Sequence, residues 1–132
     1  MSKYMTFANV VFRNKALLVA ALTEIGCKQI EQGVNLEMGR RYSEQSQHRV
    51  EVLVPHNTVG NYYGDIGFEL TENDSYQLVM DDLDQQYVFN GQFVPKLSTA
   101  YNEEVVKEVA LRLRGTMQRT VEGGVVKIKV RY

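Results

Sequence analysis

Only one cysteine, Cys27, occurs among the 132 residues, which excludes an intrachain disulfide and a multi-cysteine zinc site within one subunit. A reducing compartment is the natural setting for such a chain. Long apolar runs are missing too: the longest, Ala16 to Leu22, falls far short of the roughly 18 to 20 residues that cross a bilayer. At the N-terminus, Phe12 is followed at once by Arg13, Asn14 and Lys15, which breaks the basic, apolar, small-residue order of a signal peptide. These absences predict a cytoplasmic protein with no membrane partner. Nor does one sign of charge prevail: 15 basic residues stand against 16 acidic ones, for a net charge of -1. Without a global positive field, nucleic acid is a poor default partner. No Pro- or Ser-rich linker, low-complexity tract or repeat divides the chain, so a single domain over 1–132 is expected. Gly-x-Ser-x-Gly elbow, P-loop and dinucleotide fingerprint are all missing, and the sequence calls for no cofactor.

What is present reads as an ordinary globular domain, 44% apolar and 23% charged. A chain of this length can bury roughly 65–70% of its unfolded surface. Tyr4 to Phe12, with Met5, Phe7, Val10, Val11 and Phe12, predicts a strand. Asn14 then caps a helix in which Leu18, Ala21, Leu22 and Ile25 recur at spacings of three and four before Gly26. From Ile30 the period becomes two. Val34, Leu36 and Met38 face one way, and after a polar loop Val50, Val52 and Val54 do the same until Pro55. Ile66, Phe68 and Leu70 form a hairpin with Tyr76, Leu78 and Met80 across the turn residues Glu72 to Ser75. The stretch 84–96 carries no assignable pattern, with a short hairpin or irregular structure expected before Pro95. Ser98 and Thr99 are expected to cap a second helix with the stripe Tyr101, Val105, Val109 and Leu113, flanked by Val106 and Ala110. On it, Glu103 can pair with Lys107 and Glu108 with Arg112. A last hairpin turns at Gly123-Gly124 and is expected to end inside the sheet. The resulting fold class is α+β: a two-layer sandwich, mainly antiparallel sheet with two helices packed on one face, in the order β-α-β-β-β-β-α-β-β.

The densest set of oxygen ligands is Asp81, Asp82 and Asp84, with Asp65 near them across the hairpin. A hard cation would want such a set, but it lacks the ligand spacing and glycine of a calcium loop, and the bland reading is solvated turn carboxylates. His48 and His56 flank the third strand, about 25 Å apart at strand rise, and so do not share one metal. Cys27 follows the helix stop at its carbonyl end, which disfavours a thiolate and makes it a packing thiol. Arg112, Arg114, Arg119, Lys127, Lys129 and Arg131, with Tyr132, make the last quarter basic. A solvated sheet face explains them, with a nucleic-acid or acidic contact as the alternative. Tyr62, Tyr63, Tyr87, Phe89 and Phe93 lie in predicted loops, where aromatic residues serve as interface anchors.

Several short motifs carry a resemblance: Phe7-x-Asn9 followed by Asn14 and a Leu-rich helix ending Ile25-Gly26, the strand start Asp65-Ile66-Gly67-Phe68, the strand Tyr76-x-Leu78-Val79-x-Asp81, and the late strand after a Gly turn. In these the chain resembles the hypothetical chloroplast reading frame thirty-five family, a domain of unknown function in cyanobacteria, red-algal plastids and scattered other bacteria. The loop from Gly39 to Gly64 is longer and more polar than that family's pattern. The resemblance carries over no catalytic residue. It implies a plastid stroma setting where the gene is plastid-encoded, and, because relatives are sometimes encoded beside AAA-type ATPases, an accessory or adaptor role. A non-enzymatic interaction module, binding an AAA-type ATPase, another protein or itself through a sheet edge or the aromatic loops, is therefore expected. The rival is a metal- or small-molecule-dependent enzyme with a cleft lined by Asp65, Asp81, Asp82 and His56.

Overall fold

Asn14 both ends the first strand and starts the first helix. In the computed structural model, which describes residues 4–39, 48–56, 58–59, 63–113, 118–122 and 125–129, β1 (Tyr4–Phe12) passes into α1 (Lys15–Glu24) through this residue. Its backbone is extended, and its Oδ1 accepts from Leu17 N at 3.0 Å, satisfying one of the amides that the first helical turn leaves free. Gly26, at φ 112°, provides the left-handed turn that releases the chain.

Four more strands follow: β2 (Glu31–Glu37), β3 (Arg49–Val54), β4 (Ile66–Leu70) and β5 (Tyr76–Asp81). They pair antiparallel with β1 in the order β1-β5-β4-β3-β2. The β4–β5 connection is a five-residue loop closed by Thr71 N donating to Ser75 O at 2.8 Å and by a 2.8 Å contact between the two hydroxyls, with Asp74 in the left-handed region.

The stretch 84–96 is helical, not a hairpin. Asp81 caps a short helix α2 (Asp82–Tyr87), a 3₁₀ turn covers Val88–Gly91, and α3 (Phe93–Arg112) starts two turns earlier than expected. Ser98 and Thr99 are therefore interior helical residues and not caps. Pro95 is accommodated because it sits in the first turn, where an amide would have no helical acceptor in any case. The stripe that α3 buries is correspondingly shifted to Phe93, Leu97 and Ala100.

These three join Leu18, Ala21 and Leu22 of α1 and Val52, Val54, Ile66, Phe68, Leu78 and Met80 of the sheet in the main core. Tyr101 locks the two helices to β1: its hydroxyl accepts from Asn14 N at 3.0 Å while its ring meets Phe12 edge-on at 4.9 Å. Cys27 is buried in the same core, and burial pushes its thiol up to about 12.

The opposite sheet face is not uniformly wet, as the alternation had implied. Met38, Val50, Leu53 and Val79 form a second apolar cluster there, with Tyr4 and Leu36 against it. Val50 thus parts company with Val52 and Val54, and Val34 is 80% exposed instead of facing inward with Leu36. At Val34 the cause is a register shift in the β2–β3 ladder between Gln32 and Leu36, where Asn35 takes φ 55° and re-aims the strand. Finally, β6 (Gln118–Glu122) and β7 (Val125–Lys129) pair where the last hairpin was expected, but as a two-stranded sheet of their own and not inside the main one. Among the described residues, no helix is long and apolar enough to cross a membrane.

Candidate functional site

Three of the four candidate carboxylates are buried: Asp65, Asp81 and Asp84. A buried carboxylate needs hydrogen-bond donors to offset the loss of water, and here backbone amides supply them. Asp81 closes β5 and opens α2, its Oδ1 accepting from Leu83 N at 2.9 Å and Asp84 N at 3.4 Å. Asp82 accepts from Leu83 N at 3.0 Å.

One helical turn on, Asp84 reaches back across 20 positions to the strand β4 entrance. Its carboxylate accepts from Tyr63 N at 3.1 Å and from Gly64 N at 3.0 Å. A Cβ at Gly64 would stand 2.7 Å from Cζ of Tyr4, so a larger residue there would displace the ring. The Tyr4 hydroxyl donates to Gly39 O and accepts from Asp65 N at 2.9 Å, so the first strand is tied to the end of β2 and the start of β4 at once.

Asp65 completes the junction. Its Oδ2 accepts from Gly39 N at 2.7 Å, and its Oδ1 accepts from His56 N at 2.7 Å while standing 2.9 Å from His56 Nδ1. The carboxylate is buried and the imidazole partly open to solvent. His48, at the other end of β3, lies 3.9 Å from Glu69 and meets the Tyr4 ring edge-on at 6.4 Å. The two histidines thus take different acidic partners.

Asp65 and Asp84 are therefore not solvated turn residues; between them they hold four chain segments together. Among the described residues no group of three or more His, Cys, Asp or Glu side chains is arranged to hold a metal ion. Grooves lined by described residues lie elsewhere. One, of about 460 Å³, runs between Glu24 and Ile25 of α1 and Pro95, Lys96, Thr99 and Glu103 of α3. The other, of about 290 Å³, is lined by Ala8, Val11 and Arg13 with Thr71, Ser75 and Gln77. Neither includes Asp65, Asp81, Asp82, Asp84 or His56. Sequence reasoning missed Tyr4 and Gly39 altogether; the one available signal was the Gly64-Asp65 step directly ahead of a strand.

The aromatic candidates separate. Tyr62 lies outside the described residues. Tyr63 is half-buried beside its amide bond to Asp84, and Tyr87 is 62% exposed. Phe89 stacks on Phe93 at 6.3 Å with Lys96 Nζ 5.8 Å from its ring centre. Phe93 itself is a core residue and presents no surface to a partner. Phe89 and Asn90 both take positive φ, at 51° and 56°, an arrangement that costs roughly 1–3 kcal/mol per residue.

A different surface is apolar instead. Beyond Tyr101, α3 leaves Val106, Val109 and Leu111 at 68%, 39% and 66% exposure. Its charges pair along the helix, Lys107 with Glu104 at 3.3 Å in place of the expected Glu103, and Arg112 with Glu108 at 2.9 Å. Of the basic residues near the C-terminus, Lys127 and Lys129 fall in β7 and Arg119 in β6, while Arg114, Arg131 and Tyr132 lie outside the described residues.

A family model described as a protein of unknown function (DUF1257) matches residues 21–123. No curated protein and no solved structure matches.

Proposed function

The chain belongs to the DUF1257 family of proteins of unknown function, and from that premise we propose that it works as a non-enzymatic interaction or accessory module. The observation that carries the reading is the outer half of α3, where Val106, Val109 and Leu111 stay in water within six residues. Val106 and Val109 share the side of the helix away from Phe93 and Leu97, and exposed apolar surface of this kind marks association sites on otherwise ordinary domains. The sheet edges serve less well than the sequence implied. Both edge strands carry register shifts, β1 between Phe7 and Val11 and β2 between Gln32 and Leu36, and bulged edges resist the addition of another strand.

The reading extends to the narrower likeness with the hypothetical chloroplast reading frame thirty-five family. On that likeness, the expected partner is a subunit of an AAA-type ATPase in the cytoplasm or plastid stroma. Affinity purification of the tagged chain from its native host, followed by mass spectrometry, tests this. A specific partner should appear with the native chain and disappear with Val106→Glu/Val109→Glu. Identical recoveries from both baits would count against the α3 surface.

A second reading has its own observation, the contact between His56 and Asp65. In the tautomer whose Nδ1 donates to the buried Asp65 carboxylate, the imidazole is oriented and Nε2 is the acceptor nitrogen, the relation that general bases use. This would be a small-molecule enzyme without the metal. Thermal-shift screening against nucleotides and divalent cations separates it from the first reading, because a ligand of the folded state raises the melting temperature. A flat response throughout that His56→Ala does not alter would remove it.

A further inference from the structure

Where the end of β1 meets the β4–β5 loop, we propose a binding site for a carboxylate on a short aliphatic body, held by Arg13 and the carboxamides of Asn73 and Gln77. None of the residues lining it belongs to α3, so the site goes beyond the interaction reading and does not rest on it.

An irregularity in the ladder makes the hollow. Phe7 pairs with Leu78 and Val11 with Gln77, so Ala8, Asn9 and Val10 have no counterpart between two adjacent residues of β5. A bulge bends its strand and interrupts the ladder, and bulges are common next to active sites. Here the bulged stretch, Arg13 after it and the β4–β5 loop bound a hollow of about 290 Å³. Small-molecule pockets run from roughly 300 to 1,000 Å³, so a ligand of this one is small.

Its lining is rich in donors that the chain leaves unused. Among the described residues, nothing accepts from the Arg13 guanidinium or pairs with the carboxamides of Asn73 and Gln77. The hydroxyls of Thr71 and Ser75 share one hydrogen at 2.8 Å, which leaves the second hydroxyl hydrogen free to donate elsewhere. No carboxylate lines the hollow, and Ala8 with the exposed Val11 supplies hydrocarbon. A guanidinium fork matches the two oxygens of a carboxylate, and carboxamide N–H groups extend the same pattern. The surroundings select against further negative charge. Glu69 stands opposite Gln77 in the β4–β5 ladder, and Glu72 and Asp74 lie in the adjoining loop, so carboxylates adjoin the hollow without lining it. One guanidinium offsets one negative charge there, and a phosphate dianion would meet net repulsion.

Titration of the isotope-labelled full chain with isovalerate, followed by amide proton–nitrogen NMR, is the test. Saturable shifts confined to the amides of 8–13 and 71–77 are expected, with a Kd of roughly 1 mM, as suits a ligand of few atoms. Arg13→Gln, at an exposed side chain, should weaken binding at least about tenfold. Gln77→Glu, which places a carboxylate in the hollow, should abolish it. Should either variant disturb the whole spectrum, the other decides. A tripeptide ending in valine, and its C-terminal amide, identify the source of the carboxylate. Tighter binding of the peptide acid than of isovalerate, lost in the amide, assigns the hollow to a polypeptide C-terminus; binding of isovalerate alone assigns it to a free small acid. The proposal is overturned by the absence of saturable shifts with all of these probes, by shifts that persist in Arg13→Gln, or by inorganic phosphate binding as tightly as isovalerate. Any of those results leaves the interaction reading to its own test, capture of a partner through Val106 and Val109.

Discussion

At the Asp65 junction the chain buries charge, and along the outer half of α3 it leaves hydrocarbon in water. Each region departs from the usual partition, yet only one of them closes its own account of unsatisfied groups. Asp65 and Asp84 meet backbone amides from other segments, and Tyr4 spans three segments with one hydroxyl. The outer half of α3 has nothing comparable: its charges pair with one another along the helix, and its valines face solvent. The contrast separates a part whose polar groups are satisfied within the chain from a part whose apolar side chains the chain leaves exposed. Function is expected from the second kind.

The largest effect should come from Asp84. Replacing it by Ala leaves the amides of Tyr63 and Gly64 without their acceptor in a buried setting, a loss of about 3 kcal/mol in urea denaturation. Removing Glu108, whose bond to Arg112 is solvent-exposed, should cost less than about 0.5 kcal/mol. Equal losses at the two sites would erase the distinction between clamp and surface charge.

Within α3 itself the same comparison can be drawn with one substitution type. Leu97 is fully buried and Leu111 is 66% exposed, fourteen positions along the same helix. Leu97→Ala should lower stability by about 2–5 kcal/mol, through lost transfer energy and the cavity left behind. Leu111→Ala should change it by under about 0.5 kcal/mol at concentrations where the chain is monomeric. A large cost at Leu111 in the monomer would mean that the end of the helix on the core side is covered by the chain's own residues.

Much of this contrast was readable in the sequence, and the parts that were not share a cause. Asn14 and Gly26 bracket α1 because capping is a local matter, settled within four residues. The first strand follows from its aromatic and β-branched content and the next four from alternation, signals that are equally local. Asp65 and Asp84 looked like turn residues because their donors lie 26, 9 and 20 positions away, and a carboxylate bonded to distant backbone leaves no mark on spacing. Pro95 read as a stop signal, yet in a first helical turn it is neutral, so the start of α3 was placed too late. Val34 fits the inward alternation of β2 and still points to water, because the shift at Asn35 breaks the period. Phe93 shared its loop composition with Tyr87, but one lies in the core and the other outside.

Cys27 offers a gentler probe of the buried side of the comparison. An unfolded thiol loses its proton near 9.0, whereas the buried one holds it until about 12. Between those values the folded chain binds more protons than the unfolded one, so stability is complete below about pH 9 and falls as pH rises through the window. The slope is at most about 1.4 kcal/mol per pH unit. Urea midpoints for the native chain and Cys27→Ala should diverge progressively above pH 9 and run parallel below it. Parallel curves throughout would show that the thiol reaches solvent, and the core around Leu18 and Leu22 would be looser than its packing implies.

The smallest expected effect lies between the two regions, in the 3₁₀ turn that joins α2 of the clamp to α3. Phe89 and Asn90 both hold positive φ, and glycine adopts that region without steric cost. Asn90→Gly should therefore stabilise the chain, by a few tenths to about 1 kcal/mol, because Asn tolerates the left-handed region only partly. Phe89→Gly should not gain in the same way, since it removes the ring that stacks on Phe93 and lies near Lys96. Opposite signs at neighbouring positions would show that backbone strain here is held by aromatic packing, and a loss at both would place the constraint in Asn90's own side chain instead.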